Sequence, residues 1–201
     1  DETTKRTAGH DAAIVEQTMA GLRQLDAGKW KGPQFAGETF SVLDEHIALT
    51  PAGKRLFVEI KVGPEIVPEL VRCFERTGAS EDEITIISFN YDTLQAVRAA
   101  LPRYATQYLV GFKKADPHAP QSRPQPTLEE IIAQAKAADL TGLDLQHTWP
   151  FTPADVQQIK DAGLELHVWT INEPALARRW IELGVASITT NRPAWLRAQL
   201  K

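Results

Sequence analysis

Between Leu56 and Leu200, short apolar segments alternate with segments of helical period. This alternation predicts strand–helix units of a parallel sheet, because each helix carries the chain back to begin the next strand in the same direction. At the start of one helix, Thr127 and Glu130 have the spacing of a capping box. The six predicted strands are Leu56–Lys61, Ile84–Phe89, Tyr104–Val110, Gly142–Gln146, Leu164–Thr170 and Ser187–Thr190.

An open doubly wound sheet and a (β/α)8 barrel both contain this alternation, and two features favour the barrel. No glycine-rich phosphate-binding fingerprint follows a predicted strand. Polar or aromatic residues recur where strands end, as on the active face of a barrel. They are Glu59 and Lys61, Ser88 and Phe89, Gln146 and His147, Trp169 and Thr170, and Thr190 and Asn191. Because such a barrel has eight units, we expect the first strands to be missing from this chain.

The strand Leu56–Lys61 ends with two opposite charges that are two positions apart. Alternate residues of a strand point to the same face, so Glu59 and Lys61 emerge side by side. One interpretation is a metal ligand beside a phosphate-binding lysine at the carboxyl end of a barrel strand. The other is a surface strand that carries a salt bridge.

The composition limits the class of protein. The 201 residues suffice for one substantial domain, and 43% hydrophobic and 24% charged residues are ordinary for a globular protein. A net charge of −4 without a long basic run argues against nucleic-acid binding. No apolar stretch has the length of a membrane span. Cys73 has no second cysteine with which to form a disulfide, and the compartment stays open between cytoplasmic and secreted or periplasmic.

Two stretches fall outside the repeat. Residues 1–55 have a polar start, a glycine-containing loop over Asp26–Gly37 and a helix from Leu43 to Leu49. A loop with four prolines is predicted over Lys113–Pro126.

Five short motifs resemble the glycerophosphodiester phosphodiesterase family, and together they cover nearly the whole chain. Each is weak alone, but their common order and spacing make the set specific. They are Leu25–Trp30 with Phe35–Glu38, Val58–Lys61, Ser88–Phe89, Trp169–Asn172 and Thr190–Pro193. The chain departs from the family at Phe40–Leu43, where the family usually has isoleucine-proline-threonine-leucine, and at Asn191, where it has aspartate.

The resemblance implies a TIM-type (β/α)8 barrel. Residues 1–55 would be the family's insertion and helix after barrel strand 2, and residues 56–201 would be strands 3 to 8, all in one domain. The family's two acid/base histidines and two of its three carboxylate ligands would precede Asp1. We therefore expect no catalytic residue in this chain, and expect residues 1–201 alone to be inactive.

The resemblance also implies the reaction: hydrolysis of a glycerophosphodiester to glycerol phosphate and an alcohol with a divalent cation, Ca²⁺ or Mg²⁺. Glu59 would be the third carboxylate ligand, and Lys61 would offset charge on the phosphate oxygens. Trp169 would form an apolar wall over the substrate, with core packing as its alternative. Phe89 is a further substrate-binding candidate, also with packing as its alternative, and Asn172 is expected to orient the loop after its strand.

Two other classes of function stay open. A Schiff-base barrel enzyme would use Lys61 as its nucleophile, but an adjacent Glu59 would instead keep the lysine charged. A non-catalytic or truncated barrel would only bind its ligand. In each case the expected partner is a small molecule, with no nucleic acid and no membrane span.

Overall fold

The computed structural model describes residues 1–112 and 126–201. Apart from Pro126, the predicted proline-rich loop lies outside the described residues. Two compact units are present, one of Asp1–Leu56 with Arg72–Ala79 and one of Phe57–Val71 with Ser80–Lys201. Among the described helices, none has both the length and the apolar character that crossing a membrane requires. The predicted division at residue 55, which concerns the family's insertion, stays a prediction.

The second unit is built on a sheet whose strands follow one another in chain order. Neighbouring strands from β2 to β6 are parallel. The Ile60 amide donates to the Ile87 carbonyl at 2.8 Å, which aligns β1 with β2. The strands are β1 (Leu56–Glu59), β2 (Ile84–Ser88), β3 (Ala105–Val110), β4 (Gly142–Gln146), β5 (Glu165–Trp169) and β6 (Ser187–Ile188). The consecutive parallel order confirms the predicted α/β class, although β1 and β6 end two residues earlier than expected.

Helices lie between the strands, and the capping box that begins one of them is confirmed. Thr127 Oγ1 accepts from the Glu130 amide at 3.2 Å, and a Glu130 carboxylate oxygen accepts from the Thr127 amide at 2.8 Å. The α-helices are α1 (Lys5–Ala8), α2 (Met19–Leu22), α3 (Leu43–Leu49), α4 (Val67–Thr77), α5 (Tyr91–Ala100), α6 (Leu128–Ala137), α7 (Pro153–Asp161), α8 (Pro174–Leu183) and α9 (Pro193–Gln199).

The two faces of this sheet differ in polarity. Leu143, Leu145, Leu166 and Val168 join residues of α6, α7 and α8 in one buried apolar cluster. Burying each such side chain contributes about 1.5–3 kcal/mol. Successive residues of a strand point to opposite faces, so the intervening residues lie on the other face. They are polar or aromatic: Asp144, Gln146, His167 and Trp169.

The sheet curls around its polar face. The rings of Phe57 on β1 and His167 on β5 meet edge to face, with centroids 5.6 Å apart. Four strand spacings of about 4.8 Å would separate β1 from β5 by roughly 19 Å in a flat sheet. Phe89, which follows β2, meets Trp169 at the end of β5 in the same way, at 5.7 Å. The polar face is therefore the inside of the curve, and it holds the candidate site.

In the first unit, the loop Asp26–Gly37 is organised by its own first residue. The Asp26 carboxylate accepts hydrogen bonds from the amides of Gly28, Lys29 and Gly37 at 2.8–2.9 Å. These three bonds, led by that from Gly37, lower the pKa of Asp26. The predicted loop is thus an ordered turn closed by one side chain.

Candidate active site

Glu59 and Lys61 stand next to each other where β1 ends. Lys61 Nζ lies 3.5 Å from a Glu59 carboxylate oxygen, and the two side chains are 52% and 32% exposed. Ile60 between them is buried, as expected when alternate residues face opposite sides. An ion pair this exposed contributes only about 0–1 kcal/mol to stability. So small a contribution to stability does not explain why these two charges lie side by side at the end of β1.

The backbone around the pair is held firmly by β2 and the helix that follows it. The Ile60 carbonyl accepts from the buried Ser88 hydroxyl at 2.7 Å. The Val62 carbonyl accepts from the Thr93 hydroxyl at 3.1 Å. Lys61 lies between these two residues. Because both carbonyls are fixed, the orientation of the backbone from which the Lys61 side chain projects is fixed as well. Ser88, which belongs to the motif Ser88–Phe89, therefore holds the backbone beside Lys61 in place.

Trp169 and Phe89 form an aromatic pair at the ends of β5 and β2. Their rings are nearly perpendicular, at 88°. Phe89 is 52% exposed, and Trp169 is partly buried, so neither ring is enclosed in the core. The Trp169 indole N–H donates to the Asp144 carbonyl at 3.0 Å, which fixes the orientation of the ring. The four candidate residues thus form two pairs in the structure, Glu59 with Lys61 and Phe89 with Trp169.

The loops after β4 and β5 are tied to their neighbours by hydrogen bonds. The His147 amide donates to the Trp169 carbonyl at 2.7 Å. The Asn172 side-chain oxygen accepts from the Thr190 hydroxyl at 3.1 Å and from the Asn191 amide at 3.0 Å. These contacts agree with the expectation that Asn172 orients its loop, which stays a prediction.

Asp144 is a candidate site residue that the sequence alone did not single out. It lies in the middle of β4, is 2% exposed, and within the described residues its Oδ1 atom has no hydrogen-bond partner. Burial, and then the negative charge of Glu59, raise the pKa of Asp144 to about 7. The sequence did contain a sign of this residue. Asp144 lies between Leu143 and Leu145, in a strand of a kind that is expected to be apolar on both faces.

His167 lies beside Asp144 on β5 and belongs to a buried polar cluster. Its Nε2 atom is 2.7 Å from the Gln107 amide nitrogen, and its Nδ1 atom is 2.7 Å from the Ser187 hydroxyl. Both distances are of hydrogen-bond length, and the tautomer of the ring decides which atom donates in each. Glu165 lies 3.3 Å from Nε2. Both ring nitrogens are occupied within the sheet, which indicates a structural role.

The sequence as a whole was compared with known proteins, and a family profile described as "Glycerophosphoryl diester phosphodiesterase family" matches residues 1–195. The chain belongs to this family. The resemblance read from the five motifs is thereby confirmed.

Members of the glycerophosphoryl diester phosphodiesterase family resemble the chain over most of its length. A glycerophosphodiester phosphodiesterase of Bacillus subtilis is 26% identical over 96% of this chain and 68% of its own. One of Caldanaerobacter subterraneus is 27% identical over 98% of this chain and 76% of its own. A solved phosphodiesterase of Oleispira antarctica, in complex with the product sn-glycerol-3-phosphate, is 27% identical with a TM-score of 0.82 and covers 100% of this chain and 77% of its own. The TIM-type fold class is confirmed by this match.

The side chains of this phosphodiesterase can be examined for the oxygen donors that a divalent cation prefers. No group of three or more His, Cys, Asp or Glu residues suited to a metal ion occurs in residues 1–112 and 126–201. Glu59 nevertheless offers a carboxylate at the strand end, and Asp144 offers a buried oxygen without a partner. Carboxylate oxygens are the donors that Ca²⁺ and Mg²⁺ prefer, with water completing the shell. These donors therefore fit a hard cation that Glu59 would ligate, with Asp144 as a second, buried carboxyl group.

The raised pKa of Asp144 predicts how stability changes with pH. The ordinary pKa is 3.8 and the folded value is about 7, so between them the folded protein binds the proton more tightly than the unfolded chain. The free energy of unfolding should fall as the pH rises from about 4 to about 7, by up to roughly 1.4 kcal/mol per pH unit, and then level off. Asp144→Asn should remove this fall. Urea unfolding of both proteins across that range measures it.

The difference between the two proteins is the decisive quantity, since other titrating groups are common to both. Glu59→Gln serves as a second comparison, because it removes the smaller of the two causes and should flatten the fall only in part. Stability curves for the native protein and Asp144→Asn that stay parallel from pH about 4 to about 7 would contradict the raised pKa.

Proposed function

We propose that this protein hydrolyses glycerophosphodiesters to glycerol phosphate and an alcohol, with a divalent cation held at Glu59. The observation that carries the proposal is the family match over residues 1–195. The relative from Oleispira antarctica in complex with sn-glycerol-3-phosphate supports a glycerol phosphate product. The Glu59–Lys61 pair supports a site where a cation and a phosphate lie close together.

Each residue has a separate task in this proposal. A cation bound at Glu59 would supply Lewis acidity toward the phosphate oxygens. Lys61 donates to a phosphate oxygen and offsets the negative charge that builds up there in the transition state. Its ammonium is a mobile point charge on a flexible stem, and the fixed backbone on either side of it limits where that charge can go.

The aromatic pair accounts for binding of the organic part of the substrate. Trp169 presents a ring held by its bond to the Asp144 carbonyl, and Phe89 meets it at a right angle with half of its surface open. Two perpendicular rings offer an apolar wall to the glycerol or alcohol carbons. Hydrolysis breaks one P–O bond, the oxygen of water joins phosphorus, and a proton passes to the leaving alcohol. No histidine of this chain is proposed as the acid or base.

The test is turnover of glycerophosphocholine by the full-length native protein, with release of glycerol phosphate as the readout. We expect turnover that a chelator abolishes and that added Ca²⁺ or Mg²⁺ restores, because the cation stabilises charge in the transition state. Turnover that survives complete chelation would reject the cation. Tight binding of glycerol 3-phosphate without any turnover would favour the non-catalytic alternative.

A further inference from the structure

Asp144 is a buried carboxyl group whose environment leaves it incompletely bonded. It is 2% exposed, and its Oδ1 atom has no hydrogen-bond partner within residues 1–112 and 126–201. Leaving a buried polar atom without a partner costs about 1–3 kcal/mol, and more for a charged group. Buried carboxylates are ordinarily paired, hydrogen-bonded or bound to a metal. A partner other than the described residues is therefore expected at this atom.

Polar groups on the same face of the sheet as Asp144 have partners other than its carboxyl group. The Trp169 indole N–H is used by the backbone carbonyl of Asp144 and not by its carboxyl group. The Gln107 amide nitrogen lies 2.7 Å from His167 Nε2, and His167 Nδ1 lies 2.7 Å from the Ser187 hydroxyl. These contacts leave the Asp144 carboxyl group free to serve a bound ion or the water attached to one.

The sheet register places Asp144 on the same face as Glu59. Asp144 is paired with His167 on β5, and neighbours in register share a face. The ring of His167 touches that of Phe57, which precedes Glu59 by two residues on β1 and so shares its face. Asp144 and Glu59 thus face the same interior of the curled sheet. The charge of Glu59 acts on Asp144 strongly enough to raise its pKa, which supports their proximity.

We propose that Asp144 is a positioning carboxylate of the cation site, which accepts a hydrogen bond from water bound to the divalent cation at Glu59 and adds negative charge beneath it. This inference rests on the proposed function, since it needs a cation at Glu59. It assigns a role in the site to a residue of β4, across the curled sheet from the strand that carries Glu59 and Lys61. Outer partners of this kind typically account for 10–100-fold in metal affinity.

The experiment is calorimetric titration of the native protein with Ca²⁺ and with Mg²⁺, repeated on three variants. Asp144→Asn keeps the shape and should weaken cation affinity about 10–100-fold. Glu59→Gln should weaken it further. Thr85→Val is the matched control, because Thr85 is also buried with an unpartnered oxygen, and it should leave the affinity unchanged.

A second readout separates positioning from a merely structural role. Saturating cation should raise the thermal unfolding temperature of the native protein and of Thr85→Val, but the increment should shrink in Asp144→Asn. If Asp144→Asn does not fold, Asp144→Ser leaves room for water at the same position and is measured in its place.

The outcomes distinguish this inference from the proposed function. Weaker cation binding in Asp144→Asn with unchanged binding in Thr85→Val supports it. Cation affinity within twofold of the native protein in Asp144→Asn, with binding lost in Glu59→Gln, overturns the role of Asp144 and leaves the cation at Glu59 standing. Absence of cation binding by the native protein overturns both.

Discussion

Replacing Lys61 by methionine is expected to lower kcat/KM for glycerophosphodiester hydrolysis about 100- to 1,000-fold, the loss typical when one preorganised donor to a developing negative charge is removed. Methionine retains much of the apolar stem and removes the ammonium that lies 3.5 Å from Glu59. Most of the loss should fall on kcat, because the charge on the phosphate oxygens grows in the transition state. Steady-state kinetics on glycerophosphocholine with saturating Ca²⁺ or Mg²⁺ measure the effect.

Cation affinity should respond to Lys61→Met in the opposite sense. Removing a positive charge beside the Glu59 carboxylate removes a repulsion on the incoming cation, so the affinity should stay the same or become slightly tighter. The chain offers a matched control in Arg103 and Glu81, an exposed ion pair of the same second unit at 3.4 Å. Arg103→Met should leave kcat/KM unchanged. A kcat/KM for Lys61→Met within a few-fold of the native value would mean that Lys61 only forms a surface ion pair.

The order of the strands could be predicted from the sequence because it depends on local patterns. Each strand–helix unit has its own apolar period, and starts such as Thr127 with Glu130 are set by residues three apart. The contact between Glu59 and Lys61 could likewise be predicted from the short motif Val58–Lys61, because alternate residues of one strand share a face.

Contacts across the curled sheet could not be predicted in this way. Phe57 touches His167, and Phe89 touches Trp169, through the curvature of strands that are distant in the sequence. Sheet curvature results from the packing of all units together, so no single window of sequence contains it. The lack of a partner for Asp144 Oδ1 also depends on how neighbouring strands pack, as does the use of the Trp169 indole N–H by the Asp144 carbonyl.

In the first unit, side chains of α3 and α4, which are distant in the sequence, meet in one hydrogen-bonded group. Arg76 donates to the Asp44 carboxylate at 2.7 and 3.1 Å, and the buried Cys73 thiol donates to it at 3.3 Å. The Arg76 guanidinium, followed by the thiol, lowers the pKa of Asp44 to about 2. Cys73 lies in an apolar run that is typical of a buried segment, but a sequence window cannot show which acid from α3 meets it.

Replacing Glu59 by glutamine is expected to raise the cation concentration needed for half-maximal turnover by at least about 100-fold, which is the upper end of the range for groups outside the first coordination shell. Glutamine keeps the shape and one carbonyl oxygen but removes the negative charge that a hard cation requires. Turnover at high Ca²⁺ or Mg²⁺ should recover in part, because excess cation compensates for weaker binding by mass action. Cation titrations of the native protein and of Glu59→Gln, read out by glycerol phosphate release, measure the shift.

Opposite responses of the two charges would separate a working site from an ordinary ion pair. In a surface ion pair, Glu59→Gln and Lys61→Met remove the same interaction, so both variants should lose the same small amount of stability and share one cation requirement. In a cation and phosphate site, Glu59→Gln changes the cation requirement and Lys61→Met changes kcat at saturating cation. Glu81→Gln, from the matched pair with Arg103, should change neither. An unchanged cation requirement in Glu59→Gln would therefore remove Glu59 as a ligand and leave the pair as a salt bridge at the end of β1.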